Sequence, residues 1–195
     1  MDKMERLDAA AVALVRAGDR DAFRLIVERY SEMLFRLAYR ITGNETDAED
    51  VVQETFLRAY RKLDSFDGRS NVGTWLFRIA TNYCLDLLDR RKAQPQVLAS
   101  HPDKDESPLE ERVCSEQPNP ERLAYSTEMQ TNIHAALQSL SNTERTAFVL
   151  RHVEGCSIEE IAVALNVRSG AARQSLFRAV EKMRKFLAPA VRPAG

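Results

Sequence analysis

The sequence predicts an all-α protein made of two small helical domains joined by an acidic flexible linker. Glycine and proline are sparse over most of the 195 residues, and apolar residues recur at steps of three and four almost everywhere. The pattern collapses between Ala93 and Arg122, where Pro95, Pro102, Pro108, Pro118 and Pro120 interrupt it and no helical stripe survives. Domains are therefore expected at 1–92 and 123–195, with 93–122 connecting them.

A short leading helix is expected near Asp8 to Ala17. Phe23, Ile26, Val27, Tyr30, Leu34, Leu37 and Ile41 then make one continuous stripe that Gly43 ends. Thr46 with Glu49 reads as a capping box opening the next helix. Its apolar side is Val51, Val52, Thr55, Phe56 and Ala59. A further helix, Val72 to Lys92, is expected to bury Trp75, Leu76, Ile79, Ala80, Tyr83 and Leu87. Periodicity returns near Leu123, and Ser141 with Glu144 and Ser157 with Glu160 form two more capping boxes. The last of these opens a helix-turn-helix. Ile158, Ile161, Ala162 and Leu165 pack its first helix, Asn166 to Gly170 make the turn, and Ala172, Leu176, Ala179, Val180 and Met183 pack its second.

The net charge of −1 hides an uneven distribution. Residues 1–92 hold 16 basic and 16 acidic side chains, 93–136 hold 3 and 8, and 137–195 hold 9 and 5. Attraction to nucleic acid must therefore be local to the C-terminal part. No apolar run approaches the roughly 18 residues needed to cross a bilayer, and the N-terminus has no signal-peptide core, so a cytoplasmic protein without membrane insertion is expected. Cys84, Cys114 and Cys156 are too scattered for a disulfide framework or a zinc pair and read as packing or exposed filler. His101, His134 and His152 lack metal-ligand spacing, and no Gly-rich phosphate loop or nucleophile-base motif is present. No catalytic residue, metal or cofactor is expected.

Three groups of residues carry the functional reading. On the helix from Thr46 to Leu63, Asp50, Gln53, Glu54, Leu57 and Arg61 share one face opposite the core stripe. A solvated charged face is the plain account of it, but a leucine among carboxylates also fits a docking surface for a partner helix bearing basic residues. On the second helix of the helix-turn-helix, Arg173, Gln174, Phe177, Arg178, Lys182 and Lys185 point outward. Amide and guanidinium groups in its N-terminal half are placed to read base edges in a major groove, and the later lysines suit phosphates. In the first domain, the loop Asp64 to Thr74 leads into a helix bearing Arg78, Asn82, Arg90 and Arg91. Phe66 and Asn82 beside these cations offer the stacking, edge hydrogen bonds and neutralisation that an unpaired base needs. The plain alternatives are a core anchor for Phe66 and a satisfied buried amide for Asn82.

Taken in order, these segments resemble the extracytoplasmic-function sigma factors of bacterial RNA polymerase, over almost the whole chain. DAEDVVQETFLRAYRKL is similar to the region 2 helix that docks on the polymerase clamp. GTWLFRIATNYCLDLLDRRK resembles the segment that melts and reads the minus-ten element, and LSNTERTAFVLRHVEGCSIEEIAVALNV resembles the start of region 4. The resemblance implies that Asp50, Gln53, Glu54, Leu57 and Arg58 contact the clamp helices of the beta-prime subunit. It places Lys62, Phe66 and Asn82 at a pocket for a flipped minus-ten base, with Arg78, Arg90 and Arg91 on the same DNA. Arg173, Gln174, Ser175, Phe177, Arg178 and Lys182 fall where the family reads the minus-thirty-five element. Core polymerase, promoter DNA and an anti-sigma factor are the implied partners.

The recognition helix departs from the family pattern, which commonly carries arginines where this chain has Ser175 and Val180. Each lost phosphate contact lowers the salt dependence of DNA binding by about one unit. Val180 faces the core, so Ser175 is the departure that bears on sequence choice. An independent duplex-binding regulator is the competing account, and it has no need of the Asp50 to Leu57 face.

Overall fold

The structure, a computed structural model, describes residues 3–68, 70–93, 129 and 131–188. It is all helical: among the described residues there is no strand. The first unit comprises α1 (Lys3–Arg16), α2 (Phe23–Thr42), α3 (Glu45–Lys62) and α4 (Val72–Ala93). The second comprises α5 (131–138), α6 (Asn142–His152), α7 (Ile158–Ala164) and α8 (Ser169–Leu187). The proline-rich stretch lies outside the described residues.

Most of the expected stripe residues form the core, but Val27 of α2, Val52 of α3 and Ile79, Tyr83 and Leu87 of α4 are only half-buried. Ile26, Leu34, Leu37 and Ile41 of α2 are sealed against Val51 and Thr55 of α3 and Leu76, Ala80 and Cys84 of α4. Phe77 and Cys84, absent from the expected stripe of α4, are also buried. Burial pushes the Cys84 thiol up to about 12 and the Cys156 thiol up to about 11, so both cysteines act as packing groups.

Two local expectations need correction. α1 begins at Lys3, ahead of Asp8. Asp8 lies within it as a buried acceptor, taking a 2.6 Å hydrogen bond from the Tyr30 hydroxyl and an ion pair from Arg29 that ties α1 to α2. α3 is capped by Asn44 rather than by a Thr46 and Glu49 box. Gly43 closes α2 in the left-handed region at φ 73°, which leaves Asn44 extended, and its side chain accepts from the Asp47 N–H at 2.9 Å. Thr46 is thus already inside the helix. The boxes at Ser141 with Glu144 and at Ser157 with Glu160 both form, each with its reciprocal pair of hydrogen bonds.

The two units pack directly on each other. Arg145 of α6 is buried, and its guanidinium donates to the carbonyls of Leu137 at 2.8 Å, Gln138 at 3.2 Å and Leu140 at 3.4 Å in its own unit. It also reaches the Ile41 carbonyl of α2 at 2.7 Å. Thr74 at the start of α4 donates to Glu160 of α7 at 3.1 Å, and the rings of Tyr39 and His134 lie 5.6 Å apart.

The reassigned cap is directly testable. Asn44→Ala should cost about 1 kcal/mol in urea unfolding, while Thr46→Ala should stay within about 0.5 kcal/mol. Equal losses from the two would restore the Thr46 cap.

Candidate partner and nucleic-acid interfaces

On α3 the buried side chains Val51, Thr55, Phe56 and Ala59 turn Asp50, Gln53 and Leu57 outward. Leu57 is 51 % exposed, a large apolar side chain left in water on a polar face. Glu54 and Arg58 form an i,i+4 ion pair at 2.6 Å. The Arg58 guanidinium also lies 4.7 Å from the centre of the Tyr83 ring, so α4 holds it in place. The five residues expected at a clamp contact therefore share one uncovered face, with Arg58 at its edge. Its stacking on Tyr83 carries no short-range sequence signal.

The loop after α3 is fixed from an unexpected direction. Arg16, at the end of α1, donates to the carbonyls of Leu63 at 2.8 Å and Asp64 at 3.3 Å, and also to that of Phe66. These carbonyls belong to the turn that follows α3, so one guanidinium from α1 sets the start of the loop. Phe66 lies beneath it, 9 % exposed and 5.0 Å from the Trp75 ring. It is a core anchor. Asn82, conversely, is exposed rather than buried, one helical turn from exposed Arg78. Lys62 and Arg90 are exposed as well. Arg91 is engaged, with contacts of 2.5 Å to both carboxylate oxygens of Asp47. A polar, cationic α4 surface is thus present, but the Phe66 ring does not face it as an open platform.

On α8 the inward residues Ala172, Ala179 and Met183 are buried, and Leu176 and Val180 are partly so. The turn before it is shorter than expected, since Ser169 and Gly170 already belong to α8, and Asn166 adopts φ 53° in the turn. Arg173, Gln174 and Arg178 are exposed, Ser175 is half-buried, and Phe177 is 70 % exposed. Their placement leaves a continuous outer face for a groove. The lysines beyond it are committed elsewhere. Lys182 donates to Glu144 at 2.7 Å, and Lys185 pairs with Glu181 at 2.8 Å. The second pair is an i,i+4 spacing visible in the sequence, whereas the first joins residues far apart in the chain.

Comparisons with known proteins place this geometry. A family model described as Sigma-70 region 2 matches residues 26–94, and one described as Sigma-70, region 4 matches residues 130–183. The ECF RNA polymerase sigma factor SigW of Bacillus subtilis strain 168 is 33 % identical over 184 residues, covering 94 % of this chain and 98 % of its own. The ECF RNA polymerase sigma-E factor of Escherichia coli strain K12 is 37 % identical over 188 residues, covering 95 % and 96 %. This chain belongs to the extracytoplasmic-function sigma factors of the sigma-70 family. The relatives act in transcription initiation and are not enzymes. A solved structure of CnrH in complex with the cytosolic domain of CnrY matches with a TM-score of 0.65 at 26 % identity, covering 94 % of this chain and 98 % of that one. The sigma factor RpoE of Bartonella quintana, solved with the anti-sigma factor NepR, shares the fold, with a TM-score of 0.62 at 23 % identity over 85 % of this chain and 96 % of its own. Among the described residues no helix is long and apolar enough to cross a membrane.

In these terms region 2 spans α2 to α4, and region 4 spans α5 to α8. The capping boxes of region 4 carry a pH signature. Burial alone would raise the Glu144 carboxyl, but Lys182 and Ser141 outweigh it and hold it below its ordinary 4.5. Hydrogen bonds from Ser157, then Thr74, likewise hold Glu160 low against burial. Carboxyls depressed in the folded state stabilise fully above their unfolded value and lose that contribution as pH falls through the folded one. Urea midpoints should therefore fall as pH drops below about 4.5, and Glu144→Gln should flatten part of that fall. An identical acid profile in wild type and variant would exclude Glu144 as a contributor.

Proposed function

We propose that this sigma factor is a promoter-specificity subunit. It binds core RNA polymerase through the α3 face on the clamp helices of the beta-prime subunit, reads the minus-thirty-five element with α8, and reads and melts the minus-ten element with α4 and the loop before it. Region 2 then occupies residues 1–92 and region 4 residues 123–195, with 93–122 connecting them. The protein works in the cytoplasm, catalyses nothing itself and requires no cofactor. Because CnrH is seen with the cytosolic domain of CnrY, an anti-sigma factor is the expected restraining partner.

The observation that carries this reading is Leu57 standing 51 % exposed among Asp50, Gln53 and Glu54. Region 4 packs against α2 and α4 and leaves this face open. A regulator that met only duplex DNA would gain nothing from an exposed leucine ringed by carboxylates, whereas a docking site for a partner's basic helix needs both. Capture of an unpaired base at region 2 would offset the cost of unpairing by about 1–3 kcal/mol through stacking. Since Phe66 is packed on Trp75, Asn82 and its neighbouring arginines are the accessible groups for such a base.

The test is co-elution with Escherichia coli core RNA polymerase. Leu57→Ala combined with Glu54→Ala should abolish co-elution and leave the helical circular dichroism unchanged. Retained co-elution would exclude the α3 face as the docking site. Arg173→Ala should weaken upstream duplex binding by about 1–3 kcal/mol and relax preference at one base pair. A uniform loss across sequences would reassign Arg173 to phosphate.

A further inference from the structure

The leading helix α1 holds the loop between α3 and α4 at both of its ends. At the near end, the Arg16 guanidinium donates to the carbonyls of Leu63 at 2.8 Å and Asp64 at 3.3 Å, and to that of Phe66. At the far end the connection runs through α2. Asp8 is buried in α1 and accepts from the Tyr30 hydroxyl at 2.6 Å. Tyr30 in turn lies against Gly73, in the first turn of α4. A β-carbon at Gly73 would stand 3.0 Å from the Tyr30 ring and 3.4 Å from its hydroxyl, so a glycine there is what lets the ring close on α4.

Little of the loop is left free between these ties. Phe66 is packed on Trp75, and Asn71 caps α4 by accepting from the Thr74 N–H at 2.7 Å. At the tip, Asp67 and Gly68 are exposed, and Gly68 adopts φ 71°. Exposed Lys62 at the end of α3 and exposed Arg78 and Asn82 on α4 flank it. A short tip tied at both ends keeps few conformations, so it meets DNA as a preformed surface. Cutting a tie restores freedom that binding must then remove, and that cost falls on the bases the loop meets. The α3 face bearing Asp50, Gln53 and Leu57 does not depend on these ties.

We infer that Arg16 and Tyr30 are positioning residues for minus-ten reading: by fixing the loop at its two ends, α1 sets the base preference of region 2 without contributing to polymerase affinity. The inference deepens the role proposed above for that loop and rests on it. Arg16 stands ahead of residues 26–94, the segment that matches the region 2 model.

The experiment compares the full-length wild type with Arg16→Ala, Tyr30→Phe and Asn44→Ala, the last a loss of the cap at the opposite end of α3. Backbone amide exchange over 63–73 reports on the loop, and titration with Escherichia coli core RNA polymerase gives the affinity. Base preference is read by sequencing the oligonucleotides that each holoenzyme retains from a randomised single-stranded DNA pool. Arg16→Ala should speed exchange across 63–73 and lower the ratio of preferred to disfavoured base about fivefold, at unchanged polymerase affinity. Tyr30→Phe should move both in the same direction, and Asn44→Ala should move neither. Unchanged exchange in Arg16→Ala would overturn the anchoring. Faster exchange with an unaltered base preference would overturn the positioning role, as would an equal loss of preference in Asn44→Ala, which would trace the effect to stability. A wild-type holoenzyme that selects no base would overturn minus-ten reading by region 2 and the positioning role with it. Polymerase bound by none of the four chains would instead sink the sigma-factor reading, while exchange would still decide whether α1 holds the loop.

Discussion

The buried guanidinium of Arg145 is the interaction on which the relation between the two halves depends. A charge removed from water is strongly destabilising unless every donor finds an acceptor. Arg145 meets most of that demand, with four backbone carbonyls for its five N–H groups, three of them closing the turn between α5 and α6 and the fourth at the end of α2. Burial pushes its pKa down, but a guanidinium stays protonated, so the carbonyls remain obligatory partners. The internal three make region 4 a unit. The fourth makes the orientation of that unit on region 2 specific rather than a matter of apolar contact alone, because parting the regions returns one donor and one helix-end carbonyl to water.

A similar device operates within region 2. Arg16 holds the turn after α3 as Arg145 holds the end of α2, in each case by a guanidinium donating to backbone carbonyls. The consequence differs because of what lies beneath. Under Arg16 is Phe66 packed on Trp75, so the loop between α3 and α4 is a structured element whose shape is set partly by α1. The family model for region 2 begins at residue 26, after α1 has ended. The leading helix therefore shapes a loop it does not belong to, the one proposed above to meet the minus-ten element.

Much of this was legible in the sequence wherever one helix determines its own structure. The stripe from Phe23 to Ile41, the boxes at Ser141 and Ser157, and the outward face from Arg173 to Arg178 follow from a period of 3.6 residues and from caps three residues long. The cap of α3 was misread because Thr46 with Glu49 matches the box pattern as well as Asn44 matches a single cap. The φ of 73° at Gly43 decides between them, and that is a property of the backbone. Lys182 on Glu144, Arg58 over Tyr83, Arg91 on Asp47 and Arg145 on Ile41 were illegible for one shared reason. Each joins residues on different helices, and a long cation pairs according to tertiary proximity, which a periodic pattern does not encode.

That last group also changes how the recognition helix is to be understood. Counted from the sequence, α8 is rich in cations available to phosphate. In the fold, Lys182 is spent on a carboxylate that also caps α6, and Lys185 on Glu181. Moving Lys182 to DNA would leave Glu144 with Ser141 alone, so a phosphate contact there exchanges one charge-assisted bond for another and releases less free energy than a lysine recruited from water. With Ser175 standing where the family commonly has an arginine, the groups left for the groove are chiefly Arg173, Gln174, Phe177 and Arg178. These are suited to base edges and thymine methyls more than to backbone. If α8 reads the upstream element as proposed, its binding should then be weak in its salt-dependent part and selective in its base-reading part.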